Sequence, residues 1–431
     1  MPPGTFAAPR MSSPVSDDRA PASGGGWRRG LSRNILLVGV ASLFTDVSSE
    51  MLVPLLPGFV LLLPGVGDAN LFLILGIIDA FPEGIVSALK IASGVFSDRL
   101  GKRKALVALG YGVSTIAKVG LPFARAWPHV LAIRLADRAG KGTRNPPRDA
   151  LIAESTRPET VGKAFGFHRT MDTTGAIIGP VLALLLFPWF VVLLGSDDAA
   201  YRQLFWIAVL PAAVGFLVVL LVREVAPRPR QKPRLHFSLR ALPPRLRLFM
   251  IVAALYSLAN FTLLIWLAVV RQRAIEAGMT LQAAQTFAIL YYVVFNVVYA
   301  LLAIQAGSLS DRVGRKPVVL VGYAAFFCGS LGFAVVSGPY LLLPFFILYG
   351  IAYAFVEGTQ RALVADLSPP ELRGTSLGTY HAATGIGTVC ASLLAGALAS
   401  FVSVGVAFLA AAALSAAAAA LFVGTFADAR R

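Results

Sequence analysis

Charge is what this sequence has least of. Only 14% of its 431 residues are Asp, Glu, Lys or Arg, whereas a soluble domain of this size carries roughly 25% to keep its surface wet. A chain so short of charge must turn most of its surface to something other than water. Its 57% hydrophobic residues and mean hydropathy of +0.73 point to lipid. Cysteine is nearly absent. Cys328 and Cys390 each sit inside an apolar stretch, and two such residues build neither a disulfide framework nor a metal site. There is no Walker loop, no glycine-rich dinucleotide fingerprint after a strand and no His-Glu-x-x-His, so nucleotide-driven and metal-hydrolytic chemistry have no anchor. No cofactor, no metal and no enzymatic activity are expected.

Long apolar runs, by contrast, are abundant. A helix crossing a bilayer needs about 20 largely apolar residues. Runs of that size fall near 33–63, 70–96, 105–124, 128–150, 164–194, 201–223, 247–271, 281–309, 317–337, 340–367, 374–402 and 404–426. The expectation is an all-α integral membrane protein of twelve transmembrane helices. A disordered tail (1–30, rich in Pro, Ser and Gly) precedes a six-helix bundle (31–223). A polar linker (224–246), a second six-helix bundle (247–426) and a short tail (427–431) follow.

The net charge of +16 lies mostly in short loops between spans, on one side. By the positive-inside rule that side is cytoplasmic, with both termini there, and the Ala- and Arg-rich composition suits a bacterial inner membrane. Nucleic acid is excluded as a partner because no basic surface with accessible aromatics is present. The expected partners are the bilayer, a small-molecule substrate and protons, with the chain as a monomer.

The two halves repeat each other. Gly94-Val-Phe-Ser-Asp98-Arg99-Leu-Gly101-Lys102-Arg103 follows span two, and Gly307-Ser-Leu-Ser-Asp311-Arg312-Val-Gly314-Arg315 follows span eight, 213 residues later. A second pair, Pro158-Glu159 with Gly162 and Pro370-Glu371 with Arg373-Gly374, recurs 212 residues apart. Parallel repeats of this kind place a central site at their interface. Gly101 permits a tight reversal, and the charges around Asp98 suit an ion-pair latch between helix ends. A merely charged turn is the plainer reading of either copy alone. Arg148, Asp149, Glu159, Glu371 and Arg373 are further candidates for ion pairs at that side.

These loops resemble the signature loop of the major facilitator superfamily, over nearly the whole chain after residue 30. That resemblance implies two pseudo-symmetric six-helix bundles working by alternating access. In span five, Gly166, Gly175, Gly179 and Pro180 are similar to the antiporter motif of drug–proton exporters, with Ala183-Leu184 departing from it where a glycine pair is expected. Arg138 with Lys141 and Gly142 resembles the span-four motif of the same exporters, which implies an arginine that helps proton transfer. Phe44 to Glu50, and Asp137 to Leu151, resemble a bacterial subgroup of the superfamily.

Ionisable groups inside spans are costly, so each needs a partner or a wet cavity. Helical spacing puts Asp46 and Glu50 together in span one, ahead of Pro54 and Pro57, which can kink it. Asp79, Glu83 and Lys90 share a face of span two. Asp137, Lys141, Arg144 and Arg148 share one in span four, flanked by Arg134 and Arg138; His168 and Asp172 share one in span five. Asp46, Glu50 and Asp172 are the candidate proton carriers, Arg138 the charge that tunes them and His168 a further titrating group. Glu83 is expected to face a span-four arginine, and Lys90 to face Asp46 or Asp172. A salt-bridge network that only holds helices together stays open as the alternative. In the second half Asn260, Tyr291, Tyr292, Asn296, Glu357 and Arg361, with Tyr299, Gln305 and His381 nearby, suit a semi-polar substrate pocket.

The expected function is therefore proton-coupled efflux of small molecules by alternating access. Two readings compete with it: import or uniport of an anionic metabolite or metal chelate on the same fold, and a membrane sensor that moves nothing.

Overall fold

The computed structural model describes residues 31–157, 160–225, 242–369 and 372–425. The expected tails and most of the expected linker lie outside the described residues, as do Glu159 and Glu371. Among the described residues there is no strand. Twelve helices follow in order: α1 (Arg33–Leu61), α2 (Leu71–Leu100), α3 (Arg103–Val119), α4 (Trp127–Glu154), α5 (Val161–Leu194), α6 (Asp197–Leu220), α7 (Pro244–Glu276), α8 (Leu281–Val313), α9 (Arg315–Val335), α10 (Leu343–Leu367), α11 (Arg373–Phe401) and α12 (Val404–Thr425). All but α4 are long and apolar enough to cross a bilayer. The 28 residues of α4 reach about 42 Å at 1.5 Å per residue, but its run of arginines, lysines and aspartates from Arg134 to Asp149 takes it below that threshold.

Two helices are broken, for different reasons. In α1, Pro54 and Pro57 remove backbone donors, and the chain tightens into a 3-10 turn at Val53–Leu55 before helix resumes at Leu56–Leu61. The break in α7 interrupts what the sequence presents as one span. Helix ends at Ala259, Asn260 leaves the helical region (ψ 80°), and the Thr262 hydroxyl accepts from the Leu264 amide to start the second piece at Leu263. A capping threonine is all that marks it. Boundaries also move outward: α6 begins at Asp197, where the Ser196 hydroxyl accepts from the Ala199 amide and two aspartates occupy the first turn, favourable at the positive end of a helix. Similarly, α7 begins at Pro244, inside the expected linker.

In the first bundle α1 lies on α5 and α6, α3 on α6, and both α2 and α3 on α4; in the second α9 lies on α10 and α12, α7 on α11 and α12, and α8 on α10. The bundles meet along α2–α11 and α5–α8. Exchanging the halves, α2 for α8 and α5 for α11, exchanges these two seams, which is the pseudo-two-fold that the repeats announce.

Twelve crossings return the chain to the face it started from, here the terminal face. At the opposite face the bundles are sealed. A methyl group added to Gly76 would come within 2.5 Å of the Ser392 carbonyl, and one on Gly396 within 2.7 Å of the Phe72 carbonyl. There the Leu73 amide donates to Ser400 Oγ (3.0 Å) and Gln285 Nε2 to the Pro54 carbonyl (2.8 Å). Nearer the terminal face the bundles part: nothing lies within 4 Å of a methyl group built on Gly166 of α5 or Gly378 of α11.

The start of the connection between bundles is fixed to the first one. Asn34 Nδ2 donates to the Arg223 carbonyl (2.9 Å) while Asn34 Oδ1 accepts from the Arg223 amide (3.0 Å). The Glu224 carboxylate accepts from the amides of Arg103 (2.8 Å) and Lys104 (3.0 Å), capping α3 with a negative charge.

Candidate functional site

The charged residues of α1 to α5 come together in the middle layer of the first bundle. Arg134 Nη2 of α4 donates to Asp79 Oδ1 of α2 (3.1 Å), and one turn along Arg138 Nε faces Glu83 Oε1 (3.4 Å). On the other side of α4, Asp137 accepts from the Ser114 hydroxyl and lies 4.0 Å from the buried Lys118 ammonium of α3, which donates to Ser49 Oγ of α1 (2.8 Å). Ionic partners three and four residues apart thus tie α4 to α2 and α3 in steps of one helical turn. Lys90, expected to face Asp46 or Asp172, reaches neither; it is exposed instead.

Asp46 of α1 lies against α5 beside Asp172: a methyl group built on Gly175, one turn on from Asp172, would come within 3.1 Å of the Asp46 Cβ. Two carboxylates held close together repel when both are ionised, and a proton on one of them relieves that repulsion. Close packing of α1 on α5 brings them there, since a methyl group on Gly175 would meet the Leu43 carbonyl at 2.4 Å. Asp172 also accepts from Ser42 Oγ (2.8 Å) and from Arg169 Nη1 (3.3 Å).

Arg169 carries the site across to the other bundle. Its Nη2 donates to the Tyr299 hydroxyl of α8 and lies 4.0 Å from Glu357 Oε2 of α10. Tyr299 donates to that same oxygen (2.6 Å), and Arg361 Nη2 donates to Glu357 Oε1 (2.8 Å). A continuous polar chain therefore runs Ser42–Asp172–Arg169–Tyr299–Glu357–Arg361, through both halves. A second crossing lies closer to the sealed face, where the Tyr292 hydroxyl donates to Glu50. The Arg169 side chain is 53% exposed and Glu357 37%. Charges facing each other across the gap between bundles at this depth call for partners or water, since lipid would make them prohibitively costly.

The remaining expected residues fall into two groups. Arg144 is buried against the Tyr111 ring (4.4 Å), with Nε and Nη1 lacking hydrogen-bond partners; His168 is buried with Nε2 likewise unpartnered. Arg148 pairs with its neighbour Asp149 (3.0 Å). Among the substrate candidates, Glu357 and Arg361 face the gap. Tyr291 is buried and donates to the Pro339 carbonyl (2.5 Å), Asn296 donates to the Tyr292 carbonyl one turn back, and Asn260 sits at the α7 break, where it accepts from the Tyr349 hydroxyl (3.5 Å).

The profile of the Major Facilitator Superfamily matches residues 38–295 and 274–431. The chain belongs to the major facilitator superfamily. An uncharacterized MFS-type transporter of Methanocaldococcus jannaschii is 36% identical to it over 373 residues, 86% of this chain and 89% of the relative. The MFS-type transporter YuxJ of Bacillus subtilis is 23% identical over 385 residues, 86% and 92% of the two chains. Among solved structures, the nucleoside transporter NupG superposes with a TM-score of 0.72 at 16% identity, covering 91% of this chain and 99% of NupG, a likeness of fold. The protein is a multi-pass membrane transporter of this superfamily.

The superfamily loops form their ion pairs with helix ends that the sequence did not connect to them. Arg103 meets Glu154 at the end of α4 (3.3 Å) and Ser97 Oγ (2.5 Å); Arg315 meets Asp366 at the end of α10 (3.0 Å), Ser310 Oγ (2.6 Å) and Asp311 (2.5 Å). Glu154 and Asp366 stand 212 residues apart, so the repeat already paired them. Gly101 and Gly314 turn the chain at φ +63° and +92°, a region that favours glycine. Gly94 lines a cavity of 290 Å³ with Ser97, Arg103 and Asp149; Gly307 has open space beside it. Arg99, Lys102 and Arg312 lie in or beside the same turns, and the side chains of Asp98 and Arg373 lie outside the described residues. Arg169, Ser42, Ser114 and Lys118 were missed altogether. Position 169, three residues before Asp172, was the available signal.

Proposed function

We propose that this superfamily member exports small molecules in exchange for protons, alternating access between the two bundles. The observation that carries it is Asp172, beside Asp46 of α1, joined through Arg169 to Tyr299 and Glu357 of the opposite bundle. With a proton held by the two aspartates, Arg169 is drawn less to Asp172 and more to Glu357, which supports the closed contact seen between α5 and α8. Loss of that proton leaves Asp172 fully anionic and pulls Arg169 back to its own bundle. A proton thereby changes what holds the halves together, which is the requirement for coupling.

The arginines and lysines of the loops support a cytoplasmic terminal face, and with it a gap that opens inward. Outward transport is supported by the α5 glycine spacing that resembles the exporters. The test is flux in proteoliposomes under an imposed pH gradient. Export should require a gradient that drives protons inward, and Asp172→Asn should abolish that dependence. Uptake driven down the substrate gradient and indifferent to pH would refute proton exchange.

A further inference from the structure

We propose that the seam between α5 and α8 holds a lipid-facing binding site for a small apolar alcohol, seated in a cavity of 370 Å³ near the sealed face. Leu184 of α5 supplies one wall from the first bundle, and the stretch 280–290 at the start of α8 supplies the other from the second. Leu290 in that wall, and Leu185 and Trp189 next along α5, are exposed, an apolar surround suited to lipid rather than water.

One group in the wall lacks its partner. Pro188 lies inside α5 and has no N–H, so the Leu184 carbonyl one turn back loses its helical donor. Among the described residues no side chain takes that donor's place. Gln282 Nε2 donates to the Pro188 carbonyl instead (3.3 Å), and the Thr286 hydroxyl donates to the Gln282 carbonyl of its own helix (2.8 Å). Thr280 Oγ1 caps α8, accepting from the Ala283 amide (3.2 Å). Leu184 sits within the uncharged run 173–194 of α5, where an unsatisfied carbonyl is costly. Water suits the place poorly, because an ordered water needs about two to four polar partners and Leu184, Ala283, Phe287 and Leu290 make these walls apolar. A hydroxyl carried on an apolar body meets both demands: its O–H donates to the carbonyl while the body fills the apolar space. Both bundles wall the cavity, so an occupant favours the arrangement in which the sealed face is shut.

The test uses the full chain in detergent and a photoactivatable octanol bearing a diazirine. Mass mapping should place adducts within 184–190 and 280–290. 1-Octanol should compete about fivefold better than heptyl methyl ether, which matches it in size but has no O–H to donate. Pro188→Ala returns an N–H to the Leu184 carbonyl and should bring that ratio to about one. Ala283→Leu fills the cavity and should abolish the adducts. Both positions are half-buried or exposed, and unchanged melting temperatures will show that the fold is kept. Adducts elsewhere only, adducts that survive Ala283→Leu, or an alcohol preference that Pro188→Ala leaves in place would overturn the proposal. In a Cys328→Ser, Cys390→Ser background, Ser400→Cys at the sealed contact should react with a maleimide about threefold more slowly under 1-octanol. Equal rates would overturn the bracing of the seam.

Discussion

The two bundles share loop motifs and a helix arrangement, yet they hold themselves together differently. In the first half the middle layer is ionic, with α4 pinned to α2 and α3 by Asp79, Glu83, Asp137 and their partners. In the second it is aromatic. Trp266 is buried against Phe261, Phe333, Tyr349 and Phe408, with ring centroids 4.3 to 5.8 Å apart, on the piece of α7 beyond the break. The loop ion pairs diverge in the same sense. Arg103 and Glu154 are 4% and 0% exposed, whereas Arg315 and Asp366 are 24% and 55% exposed. One scaffold occurs twice, and the two copies differ in how far their loop ion pairs are buried. The ionic half is suited to respond to a proton, and the aromatic half to serve as the rigid body it rocks against.

Substitutions can separate these roles. The largest effect is expected from Glu154→Ala, which breaks the buried ion pair with Arg103 and should cost about 3–5 kcal/mol of stability in detergent, read by thermal unfolding. Trp266→Ala should cost a similar 3–5 kcal/mol through the cavity it leaves, but the surviving protein should keep the pH dependence of its flux. A flattened pH profile there would break the division of labour. Asp172→Asn should do the reverse, with proton-driven flux falling by at least about a hundredfold (roughly 3 kcal/mol) and the melting temperature nearly unchanged. Tyr299→Phe removes one cross-bundle hydrogen bond worth about 1 kcal/mol and should slow flux roughly fivefold. Asp366→Ala, the counterpart of Glu154→Ala, should cost under about 1 kcal/mol because its pair is exposed. Equal losses at 154 and 366 would contradict the contrast drawn from burial.

Much of the architecture was legible because membrane solvation is written in long apolar runs, and because the Asp98 and Asp311 loops recur at one offset. The α1 break could be read from Pro54 and Pro57. The α7 break could not, since Asn260-Phe261-Thr262 contains neither Pro nor Gly. Periodicity gathered Asp79 with Glu83, and Asp137 with Lys141, because helix faces follow from spacing alone. Which face meets which neighbour does not follow from spacing. Lys90 was therefore expected to meet Asp46 or Asp172 and reaches neither, and Arg169, on the opposite side of the gap from Tyr299, went unnoticed. Tyr291 looked like a ligand group only because its Pro339 partner lies 48 residues away.

Glu224 and Asn34 carry a consequence for taking the molecule apart. Since Arg223 is stapled to α1 and Glu224 crowns the first turn of α3, the natural severance point between the halves lies after residue 224, not at the end of α6. Fragments divided beyond Glu224 would each retain their own helix ends, and when co-expressed could find one another along α2–α11 and α5–α8. A cut only a few residues earlier would leave α3 uncrowned and Asn34 without its clasp.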